Sequence, residues 1–228
     1  MTSNPWLDVP LEDYEGHMRA PGVEQLDALA DLFGEALAFC RPESVAILGV
    51  AGGNGLDRID TGVTKRIVGV DIHPEYLAAV RTRYPELPLT LVCCDLDRGA
   101  IEEAPAAMVH AALIFEHAGI EGCLESAVRM VAAGGFLVVV LQLPSATAAG
   151  VAATRFETIQ ALGSRFRLVD KDEFAGLVSG SGLTMVEQRQ RSLPSGKAFW
   201  LGVFRKTAAG QASATAPCDT GDRPRRSP

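Results

Sequence analysis

The chain has 228 residues, with 28 acidic against 21 basic side chains, a formal charge of −7, and 47% hydrophobic and 21% charged residues. This is globular composition, too apolar for a disordered chain and long enough to bury a core. The acidic balance argues against the phosphate attraction behind much nucleic-acid affinity, and the longest apolar run, residues 136–141, is far short of the roughly 20 that a bilayer helix needs.

The opening Met1-Thr2-Ser3-Asn4-Pro5-Trp6 has no basic region followed by an apolar stretch, so no secretory signal is expected. A short segment at about residues 11–18 precedes a stronger helical pattern over 23–39, where Leu26, Leu29, Ala30, Phe33 and Leu37 recur at steps of three and four. Arg41-Pro42 ends it, because proline disfavours helical geometry at the residue before it. From Ser44 onward strands and helices alternate. Apolar runs at 45–50, 66–71, 89–94, 107–115 and 136–143 predict strands; helices are expected from Leu56, after Pro74, over 121–132 and over 171–179. Strands apolar on both faces, joined by helices, imply a parallel sheet covered on each side. Residues 183–191 and 197–205 flank a Pro194-Ser195-Gly196 turn, so the last strand is expected to run antiparallel. From Thr207 to the end there is no Leu, Ile, Val, Phe, Trp or Tyr, which predicts a disordered tail.

Five cysteines (Cys40, Cys93, Cys94, Cys123, Cys218) form no C-x-x-C pair and have no regularly spaced His or Cys partners. That pattern predicts reduced thiols in a cytoplasmic protein and no metal site.

The first strand runs into Gly49-Val50-Ala51-Gly52-Gly53-Asn54-Gly55, a turn where bare backbone can approach a ligand. A strand followed by a glycine turn is where open α/β sheets bind nucleotides, but the dinucleotide spacing G-x-G-x-x-G is not met. Asp71 closes the second strand. Its carboxylate suits the two hydroxyls of a ribose, or the cap of the helix that begins at His73-Pro74. Asp95 ends the third strand in the same relative place, suiting a purine amine or a turn cap.

The segments VAILGVAGGNG, RIVGVDIHPEYLAAVRTRY, LTLVCCDLD, MVHAALIFEHAG and AAGGFLVVVLQ, in that order, resemble the successive motifs of class I S-adenosylmethionine-dependent methyltransferases. The resemblance spans about residues 44–205, closing hairpin included. It implies a doubly wound α/β fold, a mostly parallel seven-stranded Rossmann-like sheet with a C-terminal antiparallel hairpin. It also implies S-adenosylmethionine as cofactor and S-adenosylhomocysteine as product. On this resemblance the turn carrying Gly49, Ala51, Gly53, Asn54 and Gly55 lies against the methionine part of the cofactor. Asp71 binds its ribose, Asp95 its adenine amine, and Ile72 and Leu96 wall the ring. Phe115, counted as a cofactor contact, begins a Phe115-Glu116-His117 segment beside the transferred methyl, with His117 the candidate general base.

Two positions depart from the family pattern. Gly49 stands where an acidic residue is usual, and Ala51 where the first glycine is usual. Alanine fits if φ there is negative, which is the expectation. The organisation implied is an N-terminal helical arm or lid over 1–43, a cofactor-binding core over 44–206 and the tail over 207–228. In the arm, Tyr14 and His17 lie three apart, on one side of a helix, and with Glu116 are candidates for lid or substrate contacts. The insert at about 145–167 is expected to line the substrate pocket. The acceptor is expected to be a small molecule rather than nucleic acid or a membrane. Competing readings are a non-catalytic S-adenosylmethionine-binding protein, on the strength of Gly49 and Ala51, and an NAD(P)-dependent oxidoreductase, since Asp71 suits either ribose.

Overall fold

In the computed structural model, which describes residues 4–146, 148–163 and 165–208, a 3-10 turn at Pro5–Asp8 leads into helices α1 (Leu11–Arg19) and α2 (Leu26–Cys40). Leu29, Phe33 and Leu37 bury the apolar stripe of α2 against the sheet. The helix ends where Arg41, just before Pro42, takes φ +43° and donates its N–H to the Leu37 carbonyl at 2.8 Å.

There follow β1 (Ser44–Leu48), β2 (Arg66–Asp71), α3 (Pro74–Arg83), β3 (Leu89–Cys93), β4 (Ala106–Ala112), α4 (Phe115–Ala118) and α5 (Glu121–Met130). The chain continues through β5 (Val131–Gln142), α6 (Glu157–Leu162), α7 (Lys171–Gly180), β6 (Leu183–Ser192) and β7 (Ala198–Lys206). One seven-stranded sheet has the order β3-β2-β1-β4-β5-β7-β6. All pairs are parallel except those of β7, which runs antiparallel to both β5 and β6. The expected α/β fold is present, with the hairpin folded back so that β7 lies inside and β6 forms the edge.

Alternation along each strand splits the core in two. Val45, Ile47, Val138 and Val140 face α2 and α3, whereas Ala46, Leu48, Leu137 and Val139 face α5 and α7. Strand order reverses between β1 and β4, the position where open α/β sheets hold ligands beyond their carboxyl ends. Among the described residues no helix is long and apolar enough to cross a membrane.

Three expectations are corrected. The helix expected from Leu56 is only a 3-10 turn, Leu56–Arg58. After Leu56 the apolar positions before β2 are Ile59 and Val63, too few for a helical stripe, and α2 packs directly against the turn instead. The fourth strand stops at Ala112, three residues early, and Phe115 opens α4. The fifth strand begins at Val131 rather than after the glycines, its register slipping between Ala106 and Met108 of β4 to accommodate them. The tail beyond Ala208 lies outside the described residues.

Candidate active site

A cavity of about 140 Å³ follows the carboxyl ends of the strands across this switch point. At one end Asp71, the last residue of β2 and 8% exposed, turns its carboxylate inward. The Ala51 N–H donates to its Oδ2 at 2.8 Å and the His73 N–H to its Oδ1 at 2.9 Å. Burial pushes this carboxyl above its usual range, against the N–H groups of His73, Ala51 and Ile72, which pull it down. Each oxygen keeps acceptor capacity for a further donor. Ile72, Leu96 and the half-buried Asp95 line the wall beside it, with Tyr76 beneath His73, the two rings stacked at 4.2 Å.

The turn from β1 contributes Gly49 and Ala51 to the cavity. The expected negative φ at Ala51 is wrong: it is +45°. This left-handed conformation is what aims the Ala51 N–H at Asp71, and it costs a non-glycine residue roughly 1–2 kcal/mol. Gly53, Asn54 and Gly55 do not line the cavity. Gly53 and Gly55 both have φ +84°; a Cβ on the first would meet the Tyr84 ring at 2.6 Å, and on the second Phe33 at 3.1 Å. Asn54 Nδ2 donates to the Leu26 carbonyl at 2.8 Å. These three dock the turn onto its neighbours, α2 above all.

The other end is built by β4, β5, β7 and the insert. Leu113, just past β4, lines the cavity at φ +54°, a strained conformation for a bulky residue. His117 follows on α4, half-buried between Trp6 at 4.9 Å and Phe166 at 5.2 Å between ring centres. Burial pushes its imidazole down to about 4, and its Nδ1 has no hydrogen-bond partner among the described residues. Phe115 and Glu116 stand off the cavity. The Phe115 ring packs on Phe174 of α7 at 4.6 Å, on the opposite side of the sheet from α2. Glu116, 1% exposed, accepts from the Gln142 N–H at 2.8 Å through Oε1, while Oε2 has no partner among the described residues. Burial pushes its carboxyl up to about 7.

The arm roofs the cavity. Tyr14 and His17 of α1 both line it, on one side of the helix. His17 Nδ1 lies 2.9 Å from Thr154 Oγ1, and Thr158 Oγ1 donates to Asp13 Oδ2 at 2.7 Å, joining the arm to the insert. Burial, then the charge of Lys197, pushes His17 down to about 4; burial, then Asp71 and Glu15, raises the Tyr14 phenol. Glu15 pairs with Arg83 on α3, so the arm is also pinned on the Asp71 side. Gly150, Val151, Ile159, Leu162 and Phe166 bring the insert to the cavity.

The sequence does not single out several lining residues, among them Trp6, Gln142 and Lys197. Lys197 directly follows a hairpin turn, where a lysine ordinarily faces solvent, so its burial had no local signal.

A buried strand-end carboxylate facing a cavity at the switch point lies where open α/β sheets hold their ligands. Residues 47–139 match the family model for a methyltransferase domain. The N-methyltransferase NodS from Bradyrhizobium japonicum WM9, solved with S-adenosyl-L-homocysteine, is 17% identical, covering 90% of this chain and 93% of its own, with a TM-score of 0.58. An S-adenosylmethionine-dependent methyltransferase from Mesorhizobium loti is 16% identical over 79% of this chain and 100% of its own, with a TM-score of 0.61. The [4+2]-cyclase SpnF, 12% identical over 83% of this chain and 84% of its own, has a TM-score of 0.63. No curated protein sequence matches. The match over residues 47–139 and the shared fold make the chain similar to class I S-adenosylmethionine-dependent methyltransferases.

Proposed function

We propose that this cavity binds S-adenosylmethionine at its Asp71 end and methylates a small-molecule acceptor held between α4, β5, β7 and the insert. The carrying observation is Asp71, a buried carboxylate whose oxygens are positioned by backbone N–H groups rather than by a cation, facing open space. Such an acceptor pair fits a ribose diol, Ile72 and Leu96 fit the faces of a purine, and Asp95 fits its amine. The turn at Gly49 and Ala51 offers bare backbone to the aminoacyl chain. Bound there, the cofactor supplies a methyl group activated on a sulfonium.

The chain's own work is alignment and exclusion of water, which can contribute on the order of 7–11 kcal/mol. His117, neutral at pH 7, accepts a hydrogen bond from the acceptor and aims its lone pair; with its imidazole near 4 it is a poor base for an early proton transfer. Trp6, Tyr14 and His17 shut out water from above. Ligand pockets usually exceed roughly 300 Å³. The cavity of about 140 Å³ lies under the arm, so outward movement of the arm would widen it for entry. Acidity and a roofed cavity favour a small acceptor over nucleic acid, and the four described cysteines, all unpaired, support a cytoplasmic setting.

Calorimetric titration of the full chain with S-adenosylmethionine and S-adenosylhomocysteine tests the reading. Both are expected to bind, and Asp71→Asn, which turns an acceptor into a donor at the diol, is expected to weaken both by about tenfold or more. Absence of heat with either compound, or an unimpaired Asn variant, overturns it.

A further inference from the structure

Of the residues lining the cavity, Lys197 is the single lysine or arginine. It is 2% exposed. Its Nζ donates to the Gly150 carbonyl at 2.8 Å and to Gln142 Oε1 at 3.4 Å. Both partners are neutral, and the same Gln142 oxygen lies 3.5 Å from Gln25 Nε2. An ammonium carries three donors, so one is left. Among the described residues no ion pair includes Lys197. A cation buried without a counter-charge is costly, and burial accordingly pushes this amine down to about 8.

The fold holds it there firmly. The Leu193 N–H donates to the Lys197 carbonyl at 2.8 Å across the hairpin turn, and Ser145 Oγ donates to the Gly196 carbonyl at 2.9 Å. The turn is thereby closed on itself and tied to the insert. The cavity is also polarised: both of its carboxylates, Asp71 at the end of β2 and Asp95 just past β3, lie at the opposite end. From β2 to β7 there are four strand steps in the sheet, roughly 19 Å at about 4.8 Å each. A cofactor held on Asp71 with its aminoacyl chain along the bare backbone after β1, as proposed above, would leave Lys197 uncommitted.

We infer that the acceptor is a small carboxylic acid, its carboxylate on Lys197 Nζ and its apolar body against the rings of His117, Phe166 and Trp6. The inference rests on the methyltransferase reading above and names its substrate class. The anion supplies the missing counter-charge and takes the remaining ammonium donor, while the methyl-accepting atom lies on the body, toward Leu113 and His117. The charged and titratable groups facing Lys197 are few. His17 of α1 is neutral above about pH 4, and Glu116 of α4 reaches the backbone of Gln142, the same residue whose side chain Lys197 holds. Affinity for an acid is therefore greatest with Lys197 protonated and falls as pH climbs above about 8.

The test uses the full chain saturated with S-adenosylhomocysteine and three matched probes, benzoate with benzamide, salicylate with salicylamide, and indole-3-acetate with its amide, measured by ligand-observed NMR. At pH 7 at least one acid is expected to bind about tenfold or more tighter than its amide, with the preference lost above pH 9 and in Lys197→Met. S-adenosylhomocysteine affinity is expected to stay within about twofold in that variant. Acids no tighter than amides in the unmodified chain overturn the inference, a result that does not depend on the variant folding. So does a Lys197→Met variant that loses S-adenosylhomocysteine but keeps 5′-methylthioadenosine, because the lysine would then hold the cofactor's own carboxylate. Failure of the unmodified chain to bind S-adenosylhomocysteine overturns the methyltransferase reading and this inference together, and is told apart from the other two results by that first titration.

Discussion

Ala51 shows how a single backbone angle carries a site. Its φ of +45° points its N–H at Asp71, and the methyl group is the part that suffers. Ala51→Gly keeps the N–H and removes the strain. Set against the extra freedom glycine has when unfolded, the variant is expected to gain up to about 1 kcal/mol. For a chain of this size that raises the melting temperature by roughly 2 °C. Thermal denaturation with and without S-adenosylhomocysteine checks it, and a lower melting temperature would show that the alanine is unstrained. Asp71 itself was legible from its place at the end of an apolar run beyond a glycine turn. The sign of φ at Ala51 was not, because composition carries no record of torsion. Nor was Lys197, whose burial comes from the insert and the arm, both distant in the chain.

Among the elements, the arm is the one whose role the strand pattern could not supply. Periodicity announced α2 plainly, yet α1 is short and polar enough that its burial depends on partners. Those partners are Thr154 and Thr158 in the insert and Arg83 on α3. Removal of residues 1–20 takes away Trp6, Tyr14 and His17 while leaving every strand in place. The truncated protein is expected to bind S-adenosylhomocysteine at least about tenfold more weakly in calorimetry, with its far-ultraviolet spectrum largely kept. Undiminished affinity would deny the arm any part in holding the cofactor. The missing helix after Leu56 teaches the complementary lesson. A nucleotide-binding turn suggests a following helix by analogy, whereas this stretch lacks the apolar stripe to bury one, and α2 covers the gap.

At the level of the whole molecule, stability responds to Glu116. Its carboxyl titrates at about 7 when folded, above the ordinary 4.5, so the folded state binds the proton more tightly. The stability this confers is complete below about pH 4.5 and is lost as pH rises through about 7. A shift of this size corresponds to roughly 3–4 kcal/mol. Glu116→Gln keeps an acceptor for the Gln142 N–H and stays neutral throughout. It is expected to match the parent chain near pH 4.5 and to exceed its stability by roughly 3–4 kcal/mol at pH 8 in urea denaturation. Equal curves at both pH values would mean the carboxyl is not held neutral. The sheet as a whole was readable, because buried parallel strands write continuous apolar runs between helices. Strand order was not, since nothing local records that β7 inserts between β5 and β6.

That insertion divides labour along the chain. Residues of β1 to β3 and the loops after them build one half of the cleft, and those from β4 onward build the other, with only the arm touching both. Because β7 runs backward, its beginning, not its end, reaches the rim. A hairpin tip can change length or sequence there with little disturbance to the half built around Asp71. On the proposed function, descendants of such a scaffold would trade one acceptor for another by editing a short turn, keeping their methyl donor intact.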